Sequence, residues 1–158
     1  GVEAITSMFD VRGNYYNALS GRKTNDSGTI ERAMDGWDLR ADYHLPIEQD
    51  VNIFVSAFEF ENPESASSYK ETGNKYGADA KLGNFLLEGG YQDDNQANDY
   101  WFGNITYVIN FGSGDKNNTS SNSKSLTDIS DKLYQPVKRE NKIRVVKISA
   151  SGLVAGGF

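Results

Sequence analysis

The sequence predicts an all-β chain, an antiparallel up-and-down meander of the kind that closes into a transmembrane β-barrel. Three observations carry that reading. Extended segments alternate between apolar and polar side chains, the polar parity holds charges of both signs, and the connections alternate between tight and long. The clearest segment is GWDLRADYHLP at 36–46. Trp37, Leu39, Ala41, Tyr43 and Leu45 share one parity, Asp38, Arg40, Asp42 and His44 share the other, and Pro46 ends the run.

The other elements follow in chain order. Residues 5–19 read as one long strand, with Asp10, Arg12 and Asn14 on the polar parity and Phe9, Val11 and Tyr15 on the apolar one. The stretch SGRKTNDSGT at 20–29 is turn-rich and opens a long connection over 20–33. Leu45 to Asp50 is a tight return into 51–61, where Ile53, Phe54 and Val55 are consecutive and leave the register open. A polar loop over 62–74 leads to 75–82, then Gly83-Asn84 as a two-residue turn into 85–92. After the acidic loop at 93–99, the segment 100–111 places Trp101, Ile105, Tyr107, Ile109 and Phe111 on one parity. A low-complexity stretch (112–125), a short candidate helix (126–133), a last strand (142–148) and a small-residue tail (149–158) complete the chain. About seven or eight strands result, with no βα alternation.

Composition agrees. Of 158 residues only 37% are hydrophobic and mean hydropathy is -0.61, as a barrel with apolar side chains at every second position requires. Nine Tyr, eight Phe and 16 Gly suit sheets better than helical bundles. A net charge of -6 without a basic patch excludes nucleic acid as the main partner. With no cysteine and a single histidine, the chain offers no thiol chemistry and no clustered metal ligands, so no cofactor, metal or enzymatic activity is expected. The loop carboxylates Asp93, Asp94 and Asp99 lack the glycine and terminal glutamate of a helix-loop-helix calcium site and read as a solvated loop.

On the membrane reading, the lumen-lining charged face comprises Asp10, Arg12, Asp38, Arg40, Asp42 and His44. The lipid-facing and interfacial aromatics are Trp37, Tyr43, Trp101, Tyr107 and Phe111. Outer-membrane lipid and the barrel assembly machinery are the partners such a fold needs. Phe158 matches the terminal aromatic of assembled barrels, although Gly152, Val154 and Gly156 make a thin apolar parity before it.

Three stretches resemble one family in order. DGWDLRADYHLP at 35–46 looks like a strand and turn of the inverse autotransporters, the outer-membrane domains of intimin- and invasin-type adhesins. VRGNYYNALSG at 11–21 is similar to the strand before it, and KLYQPVKRENKIRV at 132–145 to a segment near the end of the barrel. The resemblance implies a bacterial outer-membrane translocator that exports or displays a covalently linked adhesin passenger. It also implies a larger barrel of about a dozen strands, of which this chain supplies the later ones. On that basis 1–148 is the translocator and 149–158 the start of a threaded linker. The chain departs from the family in carrying Gly83-Asn84 where the family has a Pro-rich turn, and in lacking the passenger. Two rival functions are a self-contained small outer-membrane barrel binding host or matrix through its loops, and a soluble carbohydrate-binding β-sandwich. The latter requires Trp37, Tyr43, Ile105 and Tyr107 to be buried in a core.

Overall fold

A computed structural model describes residues 1–63, 69–96, 99–109, 139, 142–149 and 152–154. Alternating sequence produces extended chain, and short connections bring consecutive strands together antiparallel. The strands are β1 (Val2–Ile5), β2 (Phe9–Tyr16), β3 (Lys23–Thr24), β4 (Ile30–Ala33), β5 (Asp35–His44), β6 (Asp50–Glu61), β7 (Lys70–Leu82), β8 (Phe85–Asp94), β9 (Tyr100–Tyr107), β10 (Val145–Ser149) and β11 (Gly152–Val154). Seven of them form one meander in the order β1-β2-β5-β6-β7-β8-β9. Among the described residues this sheet is not closed: β1 and β9 are its edges.

The connections sort by end. At one end lie residues 6–8, 45–49 and the Gly83-Asn84 turn, in which Gly83 takes φ +60, a left-handed conformation open to glycine. At the other end lie the longer connections over 17–34, 62–69 and 95–99. The expected single strand over 5–19 is broken, because Thr6 makes its own turn. Its hydroxyl donates to the Phe9 carbonyl at 2.6 Å and accepts from the Phe9 amide at 2.9 Å, which reverses the chain and creates β1. The connection after β2 is likewise not irregular throughout. Asn25 accepts from the amides of Ser27 and Thr29 at 3.1 and 2.9 Å, folding β3 onto β4.

Strand β4 then pairs on its other side with β10, giving a second sheet of order β11-β10-β4-β3. The last strand expected over 142–148 therefore exists from Val145 but does not extend the meander. The short helix expected at 126–133 lies outside the described residues, as does Phe111. Where the two sheets meet, Met34, Phe58, Phe60 and Val146 form a core with Tyr16 and Tyr69 packed against it.

Pairing settles the register of β6. Phe54, Phe58 and Phe60 stand on the same face as Asp38 and Asp42, because Asp42 lies opposite Phe54, Asp38 opposite Phe58 and Gly36 opposite Phe60. These rings find room through glycines directly across the ladder. A Cβ at Gly36 would run into the ring of Phe60, and one would lie 2.6 Å from Phe58 at Gly73, 2.7 Å from Phe54 at Gly77 and 2.9 Å from Phe102 at Gly90. Each ring covers the bare backbone of its neighbour, the known remedy for glycine in a strand. Gly77→Val is expected to cost about 1–3 kcal/mol by overpacking, read as urea-induced unfolding in detergent. Gly89→Val is its control, since a Cβ there meets nothing nearer than 3.7 Å. Equal losses in the two variants would refute the ring-over-glycine account.

Candidate functional site

Strands β2 and β5 set like charge against like. Asp10 lies opposite Asp42, and Arg12 opposite Arg40. Direct pairs of this kind are unfavourable on a sheet, and the chain resolves them diagonally. Arg12 reaches Asp42 at 2.6 Å, Asp10 at 3.0 Å and Glu3 at 3.3 Å. Arg40 reaches Asp79 at 2.6 Å, Asp42 at 2.8 Å and Glu88 at 3.1 Å, and its guanidinium lies 3.7 Å from the centre of the Phe54 ring. Nε2 of His44 meets Asp10 at 2.8 Å, and the Asn52 amide donates to Asp79 at 2.8 Å.

The result is one seam of ionised and polar groups running from Glu3 on β1 to Glu88 on β8. Among the described residues, two guanidiniums serve five carboxylates within it. Asp10, Asp42 and Asp79 are only 1%, 2% and 2% exposed. Carboxylates that sheltered are tolerable only when paired and hydrogen-bonded, and planar guanidiniums suit the task because each can serve several oxygens at fixed angles.

Of the residues singled out in the sequence, the structure brings Asp10, Arg12, Arg40, Asp42 and His44 into this seam. Asp38 shares their face but stands apart, accepting from the Tyr16 hydroxyl and, at 3.1 Å, from the Asn14 amide. Glu3, Asn52, Asp79 and Glu88 were missed. Asp79 was legible in principle, since it opposes the parity of Ala78 and Ala80, but its partnership with Arg40 across β6 depends on register. The carboxylates of the 93–99 connection are used in ordering turns. Asp94 accepts from Gln92 and from the Gln96 amide at 2.9 and 3.0 Å, and Asp99 accepts from Tyr91 at 2.6 Å. Just before β7, burial first and then the Asp94 carboxylate raise the pKa of the Tyr69 phenol, partly offset by Arg144.

The opposite face is apolar and exposed. Trp37, Leu39, Ile53, Val55, Tyr76, Trp101, Ile105 and Tyr107 all present their side chains outward. Its aromatics fall into two rows. Toward the tight-turn end Phe9 packs on Tyr43 with ring centres 4.9 Å apart, and Phe85 on Tyr107 at 5.0 Å. Toward the other end Tyr15 faces Trp37, and Tyr91 packs edge-on against Trp101 at 5.4 Å. From Trp37 to Tyr43 the strand rises roughly 20 Å, and the residues between the rows on this face of β5 are Leu39 and Ala41. Tyr16 and Tyr100 also lie near strand ends, yet they fall on the polar parity, opposite Gly36 and Gln92.

A sheet with sheltered charge, exposed grease and aromatic rows at both ends is the pattern of an outer-membrane barrel wall. The comparison with known families decides the matter: the family described as inverse autotransporter, beta-domain, matches residues 1–141. The chain belongs to that family. No curated protein and no solved structure matches it. As an inverse autotransporter β-domain it is a bacterial outer-membrane domain with a translocator-type role, and its all-β antiparallel architecture accords with that membership. The soluble sandwich is set aside, because of the four residues it would bury, Trp37, Ile105 and Tyr107 are exposed and Tyr43 is only half-buried.

Proposed function

We propose that this β-domain anchors in the outer membrane with its apolar face to lipid and its ionised seam lining the barrel interior, and that it exports or displays a covalently linked adhesin passenger. The carrying observation is the inverted burial of the sheet, with Asp10 and Asp42 sheltered while Leu39 and Trp101 are exposed. In water that arrangement forfeits hydrophobic stabilisation on one face and spends desolvation on the other. In a bilayer the exposed face needs no cover, and the charges meet only a polar interior. An unpaired strand edge in hydrocarbon leaves backbone groups unsatisfied at several kcal/mol each, so further strands of the same barrel must pair with β1 and β9. Residues 1–148 then act as the wall of the translocator and 149–158 as the start of the threaded linker, with the barrel assembly machinery completing closure.

Tryptophan fluorescence tests the orientation. After refolding into bilayers, lipid-resident quenchers are expected to quench Trp37 and Trp101, most strongly when the quencher sits at the depth of the headgroup boundary. Quenching by aqueous iodide alone would turn the face away from lipid and sink the proposal. Export is tested separately in intact cells, where an epitope placed beyond residue 158 of the full-length protein should be accessible to antibody from outside.

A further inference from the structure

The segment that follows the meander carries a feature that neither sheet requires. From Ile143 to Val146 the side chains alternate: Ile143 is exposed, Arg144 buried, and Val146 entirely buried. Arg144 lies over the polar-face aromatics, its guanidinium carbon 4.1 Å from the centre of Phe58 and 4.9 Å from that of Phe60, and it pairs with the sheltered carboxylate of Glu71. Its own carbonyl accepts from the Met34 amide at 3.0 Å, at the point where β4 passes into β5. Val146 then fills the core beside Met34, Phe58 and Phe60.

We propose that Arg144 is a latch: a positioning residue that fixes the outgoing chain in a single register against the inner wall once the sheet has formed. This deepens the translocator reading and rests on it, because the latched segment is the last stretch of the translocator before the linker that begins at 149. The physical argument is one of selectivity. A charge brought to an aromatic patch of the wall is tolerated where a ring face and a carboxylate meet it together, as Phe58, Phe60 and Glu71 do for Arg144; the comparable place at Phe54 is already filled by Arg40. Sliding the chain by two residues keeps the parity but removes the guanidinium from that place and takes Val146 out of the core. Lysine cannot substitute fully, since it has no planar group to lie on the rings.

The test uses register-specific cross-linking in the full-length protein in its membrane. The chain has no cysteine of its own, and Ala33 lies directly opposite Val145, so the pair Ala33→Cys and Val145→Cys reports the latched register. Adding Arg144→Ala is expected to slow disulfide formation roughly thirtyfold, the factor of one desolvated cation–π contact, and Arg144→Lys to recover only part of the loss. Phe60→Leu tests the same contact from the wall, and in combination with Arg144→Ala it should add little further. Heat-modifiable migration on gels checks that each variant has assembled. Undiminished cross-linking in both Arg144→Ala and Phe60→Leu overturns the latch. Intact register dependence with no surface-exposed epitope keeps the latch and overturns export instead.

Discussion

Arg12→Ala is expected to lower the free energy of unfolding by about 3–5 kcal/mol, the range for removing one partner of a buried ion pair. The reason lies in the ladder. Asp10 and Asp42 face each other directly across β2 and β5, and Arg12 joins them at 3.0 and 2.6 Å while also holding Glu3 at 3.3 Å. Without the guanidinium the two carboxylates are left opposed in a sheltered place, with His44 on one of them and Arg40 on the other. Arg12→Lys keeps the charge but loses the fan of three contacts, and should fall between the two. Adding Asp10→Asn to Arg12→Ala should recover a substantial part of the loss, because it removes one of the stranded charges. Urea unfolding of protein refolded in detergent measures all three. A loss below about 1 kcal/mol, the range of exposed ion pairs, would mean that the seam is open to water and that its pairing does not hold the wall together.

Leu39→Arg is expected to cost about 2–4 kcal/mol in a bilayer, as an arginine at the midplane of a barrel's lipid face does. Leu39 is 49% exposed, near the middle of β5 between the aromatic rows. Tyr15→Arg, on the same face but within the aromatic row at the long-connection end, should cost about 0–1 kcal/mol. The difference between the two positions is the decisive quantity. A face bathed in water would tolerate both changes within about 0.5 kcal/mol, so a flat response would remove the lipid assignment, whatever the family of the chain.

These two experiments probe opposite faces of two paired strands, β2 and β5, and β5 shows how much could be read in advance. Within 36–46 every second residue from Asp38 to His44 is ionisable, so extended geometry alone places Asp38, Arg40, Asp42 and His44 together on one face. The same holds for Asp10 and Arg12. Segment 51–61 was not legible in this way. Ile53, Phe54 and Val55 are consecutive, and hydrophobicity cannot say which of them turns inward when the inner wall itself takes aromatics. Only pairing on both sides, with Asp42 and Gly77 opposite Phe54, decides it. The membership of the seam was hidden for a similar reason. Arg40 meets Asp79 and Glu88 across intervening strands, and a shift of one residue in any register would send those carboxylates to the other face.

What the sequence by itself determined, then, was local and periodic: the all-β class, the alternation of tight and long connections, the two-residue turn at Gly83-Asn84, and the charged parity of β2 and β5. Each depends on residues a few positions apart, where the geometry of extended chain leaves little choice. The tertiary structure decided whatever couples distant segments. It paired 30–33 with 145–148, set rings against glycines across the ladder, divided the charges between one seam and the separate site of Asp38, and carried Arg144 onto Phe58 and Phe60. Such contacts follow from register and chain closure, and neither is written in the pattern of a single strand.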